Sequence, residues 1–453
     1  MSISKIFLCC MLFATFLIAC SSNKQLATTK DSTLRSTVNT NITSVNEELP
    51  SILNDSALKS AHIGICVYSP ATKSFIQNYQ GDKYFIPASN IKIATCYAAM
   101  KYLGDSIIGI KFKEDDENIY IQAAGDPTFL HKDFPVQKVF DLLNASSKKI
   151  ILSDSKFTAK PLGKGWSWDD YQEPYMAERS AFPVNGNVVK FYYNENGYKT
   201  IPQYFEKFFS SQFQASDGNM KFSISRNYGN NSFFFDINPG KKEEDEITFN
   251  TSQSVNPTTA ILEDILHKKV EKVAYRNLTK KIYSQATDSL LKYMMWNSDN
   301  LFAEQALLMV SNEKLGLMND EKVIDTLLKS DFKNLPQKPR WVDGCGLSRY
   351  NLFTPQDFVF ILNKMSDEFG ISRIKNIFPT ANAGTLKGYY KGLEGKLFAK
   401  TGSLSNNLSL SGFITTKSGK ELVFSIIVNN HQSIPTQVRL AIEKYITQLI
   451  TNN

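Results

Sequence analysis

The sequence predicts an α+β protein of several domains, in which a sheet covered by helices is assembled from both ends of the chain. Strand-like and helix-like segments occur together near both termini, and a long segment separates the two groups. The length of 453 residues corresponds to about three domains of roughly 150 residues each. A hydrophobic content of 42% and a charged content of 21% exclude a disordered chain or a coiled-coil rod.

The first group of segments predicts a helix, a β-hairpin and a second helix. We expect an amphipathic helix at 45–58 and a strand at 63–68. A Ser-Pro turn at 69–73 leads to a returning strand at 74–77. A second helix is predicted at 87–103, because Pro-Ala-Ser precedes a long apolar segment and serine suits a helix N-terminus.

The second group lies at the C-terminal end and mirrors the first. Residues 397–400, 408–415 and 422–428 are predicted as strands, and a Lys-Ser-Gly-Lys turn joins the last pair. A helix is predicted at 434–450. The two groups therefore belong to one domain, and the residues between them form an insert.

The N-terminus predicts export and anchoring. Residues 1–19 have a singly positive start and a 14-residue apolar core, which is too short to span a membrane and fits a signal peptide. The sequence Leu-Ile-Ala-Cys that ends at Cys20 resembles the bacterial lipobox, so Cys20 is the predicted lipidation site. An ordinary signal peptide with an incidental cysteine is the alternative.

Residues 20–44 are rich in Ser, Thr and Asn and lack apolar periodicity, which predicts a flexible tether. We expect a periplasm-facing lipoprotein of the cell envelope, held to the membrane by its lipid. Ser21 and Ser22, where an aspartate would favour the inner membrane, favour the outer membrane.

Several classes of protein are excluded. The net charge of +7 is dispersed, without a basic run, so nucleic-acid binding is not expected. The sequence has no C-x-x-C, H-E-x-x-H or G-x-S-x-G motif, so we predict no metal, no organic cofactor and no Ser-His-Asp hydrolase. The cysteines that remain after Cys20 cannot all pair, and the histidines lie far apart: Cys66, Cys96, Cys345, His62, His131, His267 and His431.

Three short motifs occur in a meaningful order. Ser89 and Lys92 form S-x-x-K at a predicted helix start, residues 298–300 read S-D-N, and residues 400–402 read K-T-G at the end of a predicted strand. A chain of this length contains about two S-x-x-K motifs by chance but only ~0.1 K-T-G. Each motif alone is compatible with a capping serine, a solvated lysine or a polar strand end, so the weight lies in the combination.

These residue types suit nucleophilic catalysis by serine. A serine hydroxyl needs a base, and Lys92 lies one helical turn after Ser89, within reach of its hydroxyl. The amine must be neutral to act as that base, which requires burial and a nearby positive charge such as Lys400. Ser298 would relay a proton between Lys92 and the leaving nitrogen, and Asn300 would position Lys92 and the acyl side chain of the substrate.

The K-T-G segment would bind the end of the substrate. Lys400, Thr401 and Ser403 are expected to bind a terminal carboxylate, with Gly402 in the same strand. The backbone N–H groups of Ser89 and Ser403 would form an oxyanion hole.

From about residue 60 to 430 the sequence resembles the penicillin-binding D-alanyl-D-alanine carboxypeptidases/endopeptidases of low molecular mass class C. Beyond the three motifs, the resemblance rests on these segments: G-D-P-T at 125–128, G-W-S-W-D-D at 165–170, S-D-N-L-F-A-E at 298–304, D-G-C-G-L-S-R at 343–349 and A-K-T-G-S-L at 399–404. Cys345 stands where the family has serine, which leaves its local hydrogen bonding open.

The resemblance implies a serine β-lactamase/transpeptidase-like domain, with an antiparallel sheet and helices, that carries a large, mostly β insert of two domains. The peptidase domain would comprise 45–108 and 279–453, and the insert 109–278. The implied substrates are peptidoglycan stem peptides, and β-lactam antibiotics are the implied inhibitors. Asp170 and Arg349 would bind the ammonium and the carboxylate of the stem diamino acid; surface residues without this role are the alternative.

Two other functions stay open. A class A β-lactamase would carry E-x-x-x-N between S-D-N and K-T-G, but the match at 246–250 lies upstream of S-D-N. A lipoprotein that binds peptidoglycan or β-lactams without hydrolysis is the other alternative. The presence of nucleophile, base and relay residues disfavours it.

Overall fold

The computed structural model describes residues 50–194, 197–208, 222–237, 244–251, 257–274 and 278–453. The predicted signal peptide, the predicted lipidation site Cys20 and the predicted tether lie outside these residues, as does the start of the helix predicted at 45–58. Within the described ranges, no helix has the length and apolar character needed to span a membrane.

The strands, in chain order, are β1 (His62–Ser69), β2 (Ser74–Tyr79), β3 (Ser106–Glu114), β4 (Asn118–Ala123), β5 (Lys149–Ser153), β6 (Val188–Asn194), β7 (Gly197–Ile201), β8 (Phe222–Arg226), β9 (Phe233–Ile237), β10 (Glu244–Thr248), β11 (Val270–Lys272), β12 (Lys280–Ala286), β13 (Leu397–Leu404), β14 (Asn407–Thr415) and β15 (Glu421–Asn429). The α-helices are α1 (Ile91–Tyr102), α2 (Lys138–Ala145), α3 (Pro257–Leu266), α4 (Thr287–Asn297), α5 (Asn300–Leu315), α6 (Asp320–Lys329), α7 (Pro355–Phe369), α8 (Ile371–Ile377) and α9 (Pro435–Asn452).

The main sheet combines both ends of the chain, as the sequence predicts. Its strand order is β13-β14-β15-β1-β2, and every neighbouring pair is antiparallel. The pairing of Ile65 with Ile426 joins the N-terminal strand to the C-terminal ones. This arrangement places the S-x-x-K helix and the K-T-G strand in the same domain.

The main sheet is apolar on both faces because helices cover both. Cys66 and Phe413 belong to a core with α1, α5 and α7 on one face. Ile65 and Phe424 pack against α9 on the other face. This double covering explains why β1 and β15 consist of nearly continuous apolar residues, and why β14 is buried along almost its whole length although serines alternate with apolar residues in it.

Between the two halves, the described residues are mostly strands. One sheet has the order β11-β5-β4-β3-β12 and mixes parallel and antiparallel pairs; the order β10-β6-β7 and the hairpin β8-β9 form two smaller sheets. The expected boundary near 109 falls within β3, and the expected boundary near 278 lies just before β12. The division of the insert into two domains stays a prediction.

Two local predictions differ from the structure. Residues 50–58 form two 3₁₀ turns, Ser51–Asn54 and Ser56–Leu58, rather than an α-helix, because the Asp55 side chain caps a new turn there. The K-T-G motif lies in the middle of β13 rather than at the end of a strand. Pairing with β14 continues to Leu404, where a tight hairpin connects the two strands.

Candidate active site

Ser89 lies in a 3₁₀ turn, Ala88–Asn90, that leads directly into α1. Its neighbour Ala88 has a φ of +48°, a left-handed conformation that an alanine adopts at an energetic cost. The strained turn therefore fixes the Ser89 hydroxyl at the N-terminal end of α1. A fixed orientation favours a nucleophile.

Two glycines allow other segments to approach this turn. A Cβ at Gly346, whose φ is +92°, would lie 2.0 Å from the carbonyl oxygen of Ala88. A Cβ at Gly402 would lie 2.7 Å from the carbonyl oxygen of Pro87 and 3.0 Å from the Ser89 nitrogen. Any side chain at either position would separate Ser89 from the segments that surround it.

Lys92 is fully buried, one turn after Ser89 on α1. Its Nζ lies 2.9 Å from Ser89 Oγ, 2.6 Å from Asn300 Oδ1 and 2.8 Å from the Cys345 carbonyl oxygen. The S-x-x-K and S-D-N motifs are thus joined through one amine.

Burial lowers the pKa of Lys92, and nearby carboxylates such as Asp299 and Asp343 act in the opposite direction. Burial lowers the pKa of Lys400 well below its usual range, and the charge of Lys92 lowers it further. The sequence assigns the influence to Lys400 acting on Lys92. In the structure burial is the largest cause for both amines, and the charge effect between them runs from Lys92 to Lys400.

The S-D-N motif spans the junction between two helices. Ser298 ends α4 in a left-handed conformation with a φ of +55°, and Asp299 caps α5 by accepting a hydrogen bond from the Phe302 N–H at 2.9 Å. Asn300 begins α5, and its Nδ2 donates to the Tyr175 carbonyl oxygen at 2.8 Å. A residue of the insert therefore orients the Asn300 amide.

Lys400 contacts Ser298 rather than Ser89. Its Nζ donates to Ser298 Oγ at 2.8 Å and to the Thr401 carbonyl oxygen at 2.7 Å. The expected relay between Lys92 and Ser298 is not a direct hydrogen bond among the described residues, since Ser298 Oγ pairs with Lys400. Each buried amine thus contacts one serine: Lys92 contacts Ser89, and Lys400 contacts Ser298.

Two cavities meet at Ser89, Ser298 and Ser403. One of about 580 Å³ lies on the side of the insert, and one of about 300 Å³ lies beyond β13. The larger cavity is lined by Asn300 and by both predicted diamino-acid residues, Asp170 and Arg349. The smaller one is lined by two K-T-G residues, by β14, by the segment before β13 and by the C-terminal helix: Thr385, Leu386, Tyr389, Tyr390, Thr401, Gly402, Leu408, Ser409, Leu410, Arg439 and Ile442.

Asp170 and Arg349 approach the larger cavity from opposite segments. Asp170 ends the 3₁₀ turn Trp168–Asp170, next to Asp169, which lines the same cavity. Arg349 is exposed, and its Nη2 donates to the Ser405 carbonyl oxygen at 3.2 Å. The two residues do not form a direct ion pair in the described part of the chain, and the Asp170 carboxylate forms a side-chain hydrogen bond with Tyr175.

Asp343 ties these segments together beneath the cavity. Its carboxylate accepts hydrogen bonds from the Trp166 Nε1 at 3.0 Å, the Gly346 N–H at 2.8 Å and the Ser348 N–H at 2.6 Å. Asn351 Nδ2 donates to it as well, at 2.8 Å. The segment 165–170 and the segment 343–349 are thereby held against each other.

Cys345 contributes to the site through its backbone. Its carbonyl oxygen accepts from Lys92, and its thiol lies 3.8 Å from Asp343 Oδ2. Burial raises the pKa of this thiol well above its usual range, so it is neutral. Glu304, Asp343 and Cys345 lie close enough to hold a metal ion, but N–H donors already occupy both oxygens of Asp343 and the Arg179 guanidinium occupies one oxygen of Glu304. The exchange of serine for cysteine leaves the contact with Lys92 intact.

Some residues of the site carry no sequence signal. Tyr175 and Cys345 act through backbone carbonyls, which any residue provides. Thr385 accepts a 2.8 Å hydrogen bond from Thr401 Oγ1, and Arg439 lines the smaller cavity from α9. Only the packed structure brings these residues to the motifs.

Known proteins of similar sequence cover nearly the whole chain. D-alanyl-D-alanine carboxypeptidase DacB of Haemophilus influenzae is 22% identical over 447 residues, which cover 87% of this chain and 89% of that protein. A D-alanyl-D-alanine carboxypeptidase of Actinomadura sp. is 24% identical over 452 residues, which cover 86% and 82%.

Solved structures confirm the predicted fold class. Penicillin-binding protein 4 (dacB) from Haemophilus influenzae has a TM-score of 0.68 at 20% identity and covers 87% of this chain and 98% of its own. The structure of that protein complexed with a β-lactam has a TM-score of 0.62 at 18% identity, with the same coverage. A transpeptidase-like domain that carries a large insert is the shared architecture.

The model of one protein family matches residues 45–452, and this range contains all three motifs and both cavities. The match confirms the resemblance that the sequence segments indicate. The chain therefore belongs to the D-Ala-D-Ala carboxypeptidase 3 (S13) family of serine-type peptidases.

Proposed function

We propose that this protein is a serine DD-peptidase that hydrolyses the D-Ala-D-Ala ends of peptidoglycan stem peptides, and D-Ala–diamino acid cross-links, through an acyl-enzyme on Ser89. The observation that carries the proposal is the buried Lys92 amine, 2.9 Å from Ser89 Oγ at the junction of two cavities. Membership of the family supports the same reaction.

The contacts of Lys92 determine where its lone pair lies when the amine is neutral. A neutral amine has two N–H groups, and Asn300 Oδ1 and the Cys345 carbonyl oxygen can only accept hydrogen bonds. The Tyr175 carbonyl oxygen fixes the Asn300 amide in this orientation, since it requires Nδ2 on its side. The two N–H groups are therefore used, and the lone pair points at Ser89 Oγ.

Acylation follows from this geometry. Lys92 takes the hydroxyl proton of Ser89 while Oγ attacks the carbonyl carbon of the penultimate D-Ala. The negative charge that develops on the carbonyl oxygen is stabilised by the backbone N–H groups of Ser89 and Ser403. The carbon–nitrogen bond then breaks, and the acyl group remains on Ser89.

The leaving nitrogen needs a proton, and Ser298 is the residue that delivers it. Ser298 Oγ lies 2.8 Å from Lys400 Nζ, so Lys400 can replace the proton that the serine gives away. Once the amine has left, Lys92 passes the proton that it took from Ser89 back to Lys400 through solvent, so that both amines return to their starting states. Neutral Lys92 then acts as the base for the water that hydrolyses the ester. The absence of an E-x-x-x-N glutamate between S-D-N and K-T-G supports slow hydrolysis of a penicillin ester, so penicillins act as inhibitors.

We also propose that the enzyme is anchored to a membrane of the cell envelope, the outer membrane where the cell has one, through a lipid on Cys20. The lipobox-like sequence and the polar segment 20–44 support this location. The anchor would leave the peptidase free to reach peptidoglycan at the length of the tether.

Benzylpenicillin should label Ser89 covalently. We expect intact mass spectrometry to show one adduct that hydrolyses slowly, and Ser89→Ala to abolish both the adduct and the release of D-Ala from a D-Ala-D-Ala peptide. Ser330→Ala, an exposed serine at the end of α6, is the control and should behave as wild type. An adduct on Ser89→Ala, or rapid penicillin turnover by the wild type, would contradict the proposal.

Asp170→Ala and Arg349→Ala should each lower kcat/KM for peptides with meso-diaminopimelate about ten- to a hundredfold, because each removes a charge-assisted hydrogen bond. Acylation by benzylpenicillin should change much less, since penicillin lacks the ammonium and carboxylate of that side chain. Asp325→Ala and Lys329→Ala, which break an exposed ion pair on α6, are the matched controls. Equal losses with both ligands would show that the pair supports the fold instead.

The anchor is tested by metabolic labelling with a fatty acid and by fractionation. Wild-type protein should carry the label and sediment with membranes, whereas Cys20→Ala should lose the label. Cys10→Ala, which changes a cysteine within the predicted signal peptide, should keep it. An unlabelled wild-type protein that begins at another residue would refute the anchor.

A further inference from the structure

The smaller cavity leads from the nucleophile to a cation outside the three motifs. It extends from Ser89 and Ser298, past Ser403, to Arg439 on the C-terminal helix α9. Its volume of about 300 Å³ is far more than a methyl group needs. The larger cavity holds the acyl half of the substrate under the proposed function, so the smaller cavity receives the leaving group.

Helix α9 lines the far side of this cavity with Arg439 and Ile442. Glu443, one turn after Arg439, accepts a hydrogen bond from the backbone N–H of Tyr390. The Arg439 guanidinium lies 5.8 Å from the centre of the Tyr389 ring. The Glu443 carboxylate therefore fixes the loop at Tyr390. The Tyr389 ring, next to it in the chain, holds the Arg439 guanidinium at the edge of the cavity.

The hydrogen-bonding capacity of Arg439 is largely unused. Among the described residues, its one recorded hydrogen bond is a long contact of 3.4 Å from Nη2 to Ser403 Oγ, and no carboxylate lies within 4.0 Å of it. A guanidinium offers five N–H donors in a planar fork that suits a carboxylate. An anion bound at Ser403 would therefore meet Arg439 as well.

Lys400 is less able to supply that charge. Its Nζ already donates to Ser298 Oγ and to the Thr401 carbonyl oxygen, and burial together with Lys92 lowers its pKa. Arginine remains charged at neutral pH, because the pKa of a guanidinium lies far above 7. Arg439 therefore supplies a positive charge to this cavity that does not depend on protonation of Lys400.

We infer that Arg439 determines the specificity for the leaving group, by binding together with Ser403 the carboxylate that follows the scissile bond. The inference rests on the proposed function and extends it to the other half of the substrate. In a D-Ala-D-Ala peptide this carboxylate is separated from the leaving nitrogen by one carbon atom, which places it just beyond Ser89 on the side of β13.

The same recognition defines the cross-links that the enzyme cleaves. In a bond from D-Ala to the D-centre of meso-diaminopimelate, the carbon next to the leaving nitrogen also carries a carboxylate. In a bond to the side-chain amine of lysine it does not. We therefore expect cleavage of the first linkage and little cleavage of the second.

The test compares a diacyl-lysyl-D-Ala-D-Ala peptide with the same peptide ending in D-alaninamide. Arg439→Ala should lower kcat/KM for the acid about ten- to a hundredfold, because a charge-assisted hydrogen bond is lost, and should leave the amide unchanged within about twofold. Arg439→Lys should recover part of the loss. Acylation by benzylpenicillin and by its uncharged methyl ester should show the same contrast, and thermal unfolding verifies that each variant is folded.

Arg349→Ala is the matched control, since it removes an arginine from the other cavity and should not alter the preference for the acid over the amide. Equal effects of Arg439→Ala on acid and amide, or no effect on either, would overturn the inference. A wild-type enzyme that cleaves both peptides equally would also overturn it, while the proposed function would stand. A wild-type protein that neither cleaves the acid nor reacts with benzylpenicillin would refute the proposed function itself.

Discussion

The arrangement of the active site depends on one interaction, the buried Lys92 amine beside the Ser89 hydroxyl. Lys92 is fully enclosed, and its Nζ lies within 3 Å of Ser89 Oγ, Asn300 Oδ1 and the Cys345 carbonyl oxygen. Burying a charged ammonium is costly, so burial lowers the pKa of Lys92 and favours the neutral amine. The rest of the site holds three separate chain segments close enough to maintain this arrangement.

Much of that closeness comes from the insert. Arg179 bridges Glu304 of α5 at 2.9 Å and Asp320 of α6 at 2.7 Å, with all three side chains almost completely buried. Tyr175, four residues before Arg179, accepts a hydrogen bond from the Asn300 amide through its carbonyl oxygen. Breaking a buried ion pair of this kind by removing one partner costs about 3–5 kcal/mol, so the insert is an integral part of the active site.

The sequence predicted most of the architecture because its signals are local. The apolar segments 63–68 and 422–428 predicted strands of one sheet, and S-x-x-K, S-D-N and K-T-G predicted the residues that the structure brings together. The pairing of Lys400 with Ser298, the continuation of β13 past Gly402 and the position of Arg439 were not predictable. Each depends on contacts between segments distant in the chain, where no residue pattern identifies the partner.

The pH dependence of Ser89 acylation by benzylpenicillin tests the central claim, that Lys92 is a neutral base, most directly. Protonated Lys92 cannot accept the hydroxyl proton, so the rate should rise about tenfold per pH unit below its lowered pKa and then level off. Lys92→Arg should be nearly inactive at every pH, because a guanidinium stays protonated. A rate that is independent of pH, or an active Lys92→Arg variant, would contradict the account.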